Sequence, residues 1–123
     1  VMVMENMFGD ILSDQCGGIL GSLGLMPSAC LGPEKAYYEP SHGSAPDIAG
    51  QRIANPYSMI GSVAMMLEMS FNMEQEARNV WQAMQSVFGQ GFSTPDLSKP
   101  GKNVKMISTD GFGDLVVEEL AKL

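Results

Sequence analysis

The chain has 123 residues, 45% of them hydrophobic, which is room for one small globular domain and not for two. Seven Lys and Arg stand against 14 Asp and Glu, a net charge of -7, and no stretch gathers basic residues, so a nucleic-acid-binding face is excluded. No apolar run approaches the roughly 18 residues of a membrane-spanning helix, and the opening Val-Met-Val-Met-Glu-Asn lacks the basic start of a secretory signal.

Val1 to Met4 read as a short apolar strand, ended by Glu5-Asn6. The chain opens on Val inside this strand, with no lead-in, and is therefore expected to be the C-terminal part of something longer. A helix is predicted from about Phe8 to Ile19, with Ile11, Leu12, Ile19 and Leu20 loosely periodic. Gly17 and Gly18 weaken its second half by roughly 1 kcal/mol each relative to Ala. Asp10 and Asp14 lie four residues apart and share one helix face. Two readings stay open: a solvated acidic face, or a site for Mg²⁺ or Mn²⁺, which take one or two carboxylates and complete their shell with substrate and water oxygens.

Leu25, Met26, Ala29, Cys30 and Leu31, set between Gly and Pro breakers, predict a buried strand or strand pair. Tyr37, Tyr38 and Glu39 begin another extended piece, stopped by Pro40. Cys16 and Cys30, with one His in the chain, do not make a zinc site and read as buried free thiols in a reducing compartment.

The loop His42-Gly43-Ser44-Ala45-Pro46-Asp47-Ile48-Ala49-Gly50 follows. Its small residues let a flat ring approach the backbone. Asp47 is placed to accept hydrogen bonds from both hydroxyls of a ribose, as an acidic residue does in dinucleotide sites. His42, the sole histidine, is either a structural loop residue or part of that surface. No G-x-G-x-x-G occurs, so an ordinary Rossmann fingerprint is not indicated.

Asn55-Pro56 predicts a helix start, Asn as N-cap and Pro at the first helical position, with the helix running to about Phe71. Met59, Ile60, Val63, Met66, Leu67 and Ser70 form a stripe widened by Ala64, Met65 and Met69, so this helix is expected in a core or an interface. The 11 methionines read as gap-filling core. Asn72 is the expected cap of a helix from about Met73 to Phe88, whose buried face is Ala77, Val80, Trp81, Met84, Val87 and Phe88, ended by Gly89 and Gly91. A loop is expected over Phe92 to Lys102 and an extended piece over Val104 to Ile107. Thr109 is the expected N-cap of a last helix, about Asp110 to Leu123, with Leu115, Val116, Leu120 and Leu123 inward. These elements make an α/β chain whose sheet is short of strands.

Three of these stretches taken together resemble a known family. Glu5-Asn6-Met7-Phe8-Gly9-Asp10-Ile11-Leu12-Ser13-Asp14, Gly21-Ser22-Leu23-Gly24-Leu25, and Glu39 to Gly50 with Ile53-Ala54-Asn55-Pro56 look like the C-terminal third of the 3-isopropylmalate dehydrogenases, in the isocitrate/isopropylmalate dehydrogenase family. Ser108-Thr109 and Gly113-Asp114 resemble its last helix. The resemblance implies the C-terminal part of a two-domain α/β fold, with residues 1–21 ending the smaller, dimerisation and metal-binding domain and residues 22–123 belonging to the larger nucleotide-binding domain. It implies an oxidoreductase: NAD-dependent oxidative decarboxylation of 3-isopropylmalate to 2-oxoisocaproate in leucine biosynthesis, assisted by Mg²⁺ or Mn²⁺, in a cytoplasmic homodimer with no nucleic-acid or membrane partner.

By the same resemblance Asp10 and Asp14 match the metal-ligating pair, and His42, Gly43, Ser44, Ala45, Pro46, Asp47, Ile48 and Asn55 the adenosine-binding loop. NADP-dependent relatives carry Lys-Tyr at the positions of Asp47 and Ile48, so NAD is expected here. The catalytic Tyr and Lys and the substrate arginines are expected upstream of Val1, so this chain is expected to be inactive and poorly folded alone. Gln51-Arg52 replace the common Lys-Gly, and a cation at Arg52 is expected to soften the NAD preference. Alternatives are a related decarboxylating dehydrogenase for tartrate, malate or isocitrate, or a non-catalytic nucleotide-binding remnant.

Overall fold

A computed structural model describes residues 2–97 and 104–123. Helix α1 (Asn6–Leu20) opens the fold, followed by a 3₁₀ turn at Leu23–Leu25. Strands β1 (Pro27–Leu31) and β2 (Ala36–Pro40) make an antiparallel hairpin, and a second 3₁₀ turn stands at Pro46–Ile48. Helices α2 (Tyr57–Phe71) and α3 (Glu74–Gly89) are joined by a short connection, and α4 (Thr109–Leu120) closes the chain. Between α3 and α4, β3 (Phe92–Ser93) pairs in parallel with β4 (Lys105–Met106).

The core lies among α2, α3 and α4. Ala64, Val80, Ala83, Met84, Val87, Phe112 and Val116 are buried together. A ring of aromatics continues it: Tyr57 to Phe88 at 5.6 Å, Phe88 to Phe112 at 5.1 Å and Tyr57 to Trp81 at 6.1 Å between centroids. Trp81 is thus a packing anchor, as its place in the periodic face implied. The hairpin lies against α2, and Tyr38 shares a hydrogen bond of 2.7 Å with Ser70.

Helix α2 buries only part of the expected stripe: Ala64 is buried, and Ile60 and Leu67 pack against the core. Ser58, Gly61, Ser62 and Ala64 are buried, while Met59, Val63 and Met69 are exposed. Close approach explains the choice: a β-carbon at Gly61 would lie 2.8 Å from Trp81 Cη2 and 3.1 Å from Pro27 Cγ. Small residues therefore stand at the closest approach, Ile60 and Leu67 pack at the edge of the core, and Met59, Val63 and Met69 point away. The methionines follow suit: Met84 is fully buried, but Met2, Met4, Met7, Met59, Met69, Met73 and Met106 are exposed, so most are not core filler.

Other expectations shift for local reasons. Residues 2–4 form no strand and pair with none of the described residues; Val1 lies outside them. Helix α1 runs through Gly17 and Gly18, because Gly17 is buried where a side chain would meet Leu23 and Met26, and Gly21 caps it at φ 89° with a bond from its N–H to the Gly17 carbonyl at 2.9 Å. Both cysteines are free and exposed, not buried: α1 buries Gly17 alone, and Cys30 lies at the uncovered end of the hairpin.

Asn72 caps the end of α2 in the left-handed conformation (φ 55°) instead of starting α3. Ser108, not Thr109, caps α4: its hydroxyl accepts from Gly111 N–H at 3.3 Å. Leu123 is exposed beyond the helix end. Phe92 and Ser93, expected in a loop, are a strand because the later extended piece returns beside them; the remainder of that loop, residues 98–103, lies outside the described residues.

The accessible surface is 8304 Å², against roughly 6,400 Å² for a folded monomer of this mass. Open apolar side chains contribute to it: on α1, Met7, Phe8, Ile11, Leu12, Ile19 and Leu20 are between 44 and 87% exposed.

Candidate functional site

The hairpin delivers the loop. Ser41 N–H donates to the Met26 carbonyl at 3.0 Å, extending the β1–β2 pairing by one bond and setting His42 beside the 3₁₀ turn at Leu23–Leu25. That turn is itself capped by Ser22, whose hydroxyl accepts from Gly24 N–H at 3.0 Å. His42 Nδ1 lies 2.8 Å from the Gly43 carbonyl. A carbonyl only accepts, so Nδ1 is the donor of this bond.

The loop is tightly wound. Ala45 (φ 42°) and Arg52 (φ 58°) both occupy the left-handed region, which costs a residue bearing a β-carbon about 1–2 kcal/mol. Bonds on each side offset the strain. The Ala45 carbonyl accepts from Ile48 N–H at 3.1 Å, and the Asp47 carbonyl accepts from the Gln51 side chain at 2.9 Å. The Arg52 carbonyl accepts from Thr109 N–H at 2.9 Å.

Asn55 closes the loop onto α2. Its Oδ1 accepts from Tyr57 N–H at 2.9 Å, the capping bond expected from Asn55-Pro56, although the helix proper begins at Tyr57. Its backbone N–H donates to Asp96 Oδ2 at 2.8 Å, and its side-chain amide donates to Thr94 Oγ1 at 2.9 Å.

Two cavities flank this loop and share His42, Gly43, Ala45, Ile48 and Ala54 as a common wall. The larger, about 550 Å³, is completed by Ser44, Ala49, Gly50, Arg52 and Ile53 with Thr109 and Asp110. The smaller, about 380 Å³, is completed by Ser22, Leu23, Gly24, Asn55 and Asp96. Of the eight loop residues expected at a nucleotide, His42, Gly43, Ala45 and Ile48 line both cavities, Ser44 the larger and Asn55 the smaller. Pro46 and Asp47 line neither; the Asp47 carboxylate stands exposed in the first turn of the Pro46–Ile48 helix.

Asp10 and Asp14 are both exposed on α1. Among the described residues no third His, Cys, Asp or Glu joins them in a metal-binding group. Two carboxylates one turn apart fit a hard divalent cation as a partial donor set, the remaining oxygens coming from substrate and water. Asp14 also lines a cleft with Gly17, Gly18, Gly21, Ser22 and Leu23. Ser22 and Leu23 border that cleft and the smaller loop cavity alike, so one continuous surface leads from Asp14 to His42.

Asp110 and Asp96 were not singled out from the sequence, and Thr109 was expected only as a helix cap. The Thr109 hydroxyl donates to the Ala54 carbonyl at 2.6 Å across 55 residues of chain, and Asp110 pairs with Arg52. No local pattern marks such partners, because only the docking of α4 and of the Thr94–Leu97 turn brings them to the loop.

This arrangement has relatives. The chain is 52% identical over 120 residues to the 3-isopropylmalate dehydrogenase of Moorella thermoacetica, covering 98% of this chain and 33% of that protein. It is 49% identical to that of Thermotoga maritima, covering 100% of this chain and 34% of that one. Among solved structures it resembles isocitrate dehydrogenase from Methylococcus capsulatus, with a TM-score of 0.85 and 41% identity over 94% of this chain and 33% of that one. It also resembles a beta-decarboxylating dehydrogenase from Thermococcus kodakarensis, with a TM-score of 0.82 and 37% identity over 96% of this chain and 33% of that one. The chain thus spans about a third of the length of the relatives it matches, and its α/β fold is that of the corresponding part of those structures. With the model of the family described as isocitrate/isopropylmalate dehydrogenase matching residues 1–116, the chain belongs to that family.

Proposed function

We propose that this chain is the C-terminal segment of an NAD-dependent decarboxylating dehydrogenase that converts 3-isopropylmalate to 2-oxoisocaproate in leucine biosynthesis. The observation that carries the reading is the continuous surface from Asp14 through Ser22 and Leu23 to the His42 loop. This shared wall supports reading the acidic face of α1 as the cation site and the loop cavity as the nucleotide site. Residues 1–21 then end the smaller, metal-binding domain, and residues 22–123 belong to the nucleotide-binding domain.

Asp10 and Asp14 supply two anionic oxygens to a Mg²⁺ or Mn²⁺ ion. His42, Gly43, Ser44, Ala45, Pro46, Ile48 and Asn55 form the adenosine surface. The Asp47 carboxylate accepts from the ribose hydroxyls and repels a 2′-phosphate, which favours NAD over NADP. When bound, the ion polarises the substrate's forming carbonyl and the nicotinamide accepts hydride. Residues of the rest of the enzyme move the protons. The apolar face of α1 is covered in the assembled enzyme, which we take to be a cytoplasmic homodimer. No helix among the described residues is long and apolar enough to cross a membrane.

The 41% identity to a solved isocitrate dehydrogenase favours isocitrate as the second substrate to test. The full-length protein carrying this segment, assayed with NAD and Mg²⁺, is expected to reduce NAD with 3-isopropylmalate and to release CO₂. Turnover of isocitrate, tartrate or malate in its place reassigns the substrate. Nucleotide binding with no turnover of any of them makes the segment a binding remnant.

A further inference from the structure

The loop is tied to α4 at one corner. Arg52 Nε donates to Asp110 Oδ1 at 2.7 Å, and the Arg52 Nη2 group pairs with Asp110 Oδ2. Beside this fork, Thr109 N–H holds the Arg52 carbonyl and the Thr109 hydroxyl holds the Ala54 carbonyl. Both charged side chains border the larger cavity, at its solvent side, with Arg52 64% and Asp110 52% exposed. The guanidinium therefore belongs to the wall of a cavity of about 550 Å³ while its charge is taken up by a carboxylate of another element.

Two consequences follow from the charge balance. Paired with Asp110, Arg52 adds no net charge to the rim, and Asp47 leaves the loop negative. Unpaired, the same guanidinium presents several N–H donors in a planar fork suited to a phosphate. An exposed pair of this kind is weak, so removing one partner releases the other.

We propose that Asp110 is a specificity-determining residue: by holding Arg52 it withholds a cation from the cavity and keeps the loop selective against adenosine carrying a ribose phosphate. This rests on the reading that the loop holds the adenosine of a dinucleotide. It also accounts for a Gln51-Arg52 pair beside Asp47 without a cost to NAD selectivity, since the basic residue is already engaged.

The test is titration calorimetry of the full-length protein with NAD, NADP and adenosine 2′-monophosphate, comparing the parent with Asp110→Asn and with the double variant Asp110→Asn, Arg52→Gly. Glycine at 52 tolerates the left-handed backbone, so the double variant removes the cation while sparing the loop. Asp110→Asn is expected to tighten NADP and adenosine 2′-monophosphate about fivefold, the scale of one exposed charge contact, and to change NAD less than about twofold. The double variant is expected to abolish the gain. Equal weakening of all three ligands by Asp110→Asn overturns the proposal, leaving the pair a loop clamp. So does a gain that persists in the double variant, or no change toward either phosphorylated ligand in a protein that binds NAD. A parent that binds none of the three overturns the adenosine reading itself, and this proposal with it.

Discussion

The side-chain amide of Asn55 donates to the hydroxyl of Thr94 at 2.9 Å, both residues being buried. One side chain thereby joins the end of the His42 loop, the start of α2 and the turn after β3. Asn55→Ala removes this bond and the cap on Tyr57 N–H together, and is expected to cost about 1–3 kcal/mol of stability. Asn55→Asp keeps the capping oxygen and loses the donor, so it should cost less. Denaturant unfolding of the two variants against the parent checks the order.

Gly61 sits where a β-carbon would meet the Trp81 ring at 2.8 Å. The indole is rigid and wedged beside Tyr57, so it cannot yield as a flexible side chain would. Gly61→Ala is expected to destabilise by overpacking, by about 1–3 kcal/mol, despite the better helix propensity of Ala. A rise in the unfolding midpoint would show that α2 and α3 can separate without loss.

Asp47→Lys replaces the proposed ribose acceptor with a cation. NAD binding is expected to weaken by about tenfold or more, the loss of hydrogen bonds to a charged acceptor. Unchanged NAD affinity by calorimetry removes Asp47 from the cofactor site.

Asp14→Asn takes one charge from the α1 pair while keeping the side chain's shape. The Mg²⁺ concentration needed for half-maximal activity is expected to rise by at least about tenfold, since losing a ligand costs no less than losing an outer partner. An unaltered Mg²⁺ dependence assigns the acidic face of α1 to solvation alone.

Glu119 ties α4 to α3. Hydrogen bonds from Lys122, Ser86 and Gln90 hold its carboxyl down at about 2, against an ordinary 4.5. The folded state therefore binds this proton less tightly than the unfolded chain. The stabilisation is complete above about pH 4.5 and is lost as the pH falls toward about 2. Glu119→Gln is expected to lower the melting temperature at neutral pH and to flatten its fall over that acid range. A parallel displacement of the whole pH curve would assign the effect to packing instead.

Local chemistry was legible along the chain. Apolar spacing and end signals placed all four helices, every boundary but the end of α4 within two residues, and the capping oxygen of Asn55, the inward Trp81 and the pairing of Asp10 with Asp14 on one face all follow from short-range spacing. The resemblance carried by three short motifs reached the family over residues 1–116. Boundaries that depend on a single cap went astray: Asn72 turned out to end one helix and Ser108 to begin another, because either neighbour offers an acceptor and only the path of the backbone selects one.

Residue order by itself determined the α/β character, the family, the loop of small residues and the carboxylate pair, since each rests on contacts within a few residues. Only the tertiary structure decided which face of α2 is buried, that both thiols are open, and that Asp47 stands outside the two cavities the loop divides. It alone brought Asp96, Thr109 and Asp110 to that loop. Those outcomes depend on how close whole elements approach and on partners more than 40 residues apart, and spacing along the chain holds no record of either.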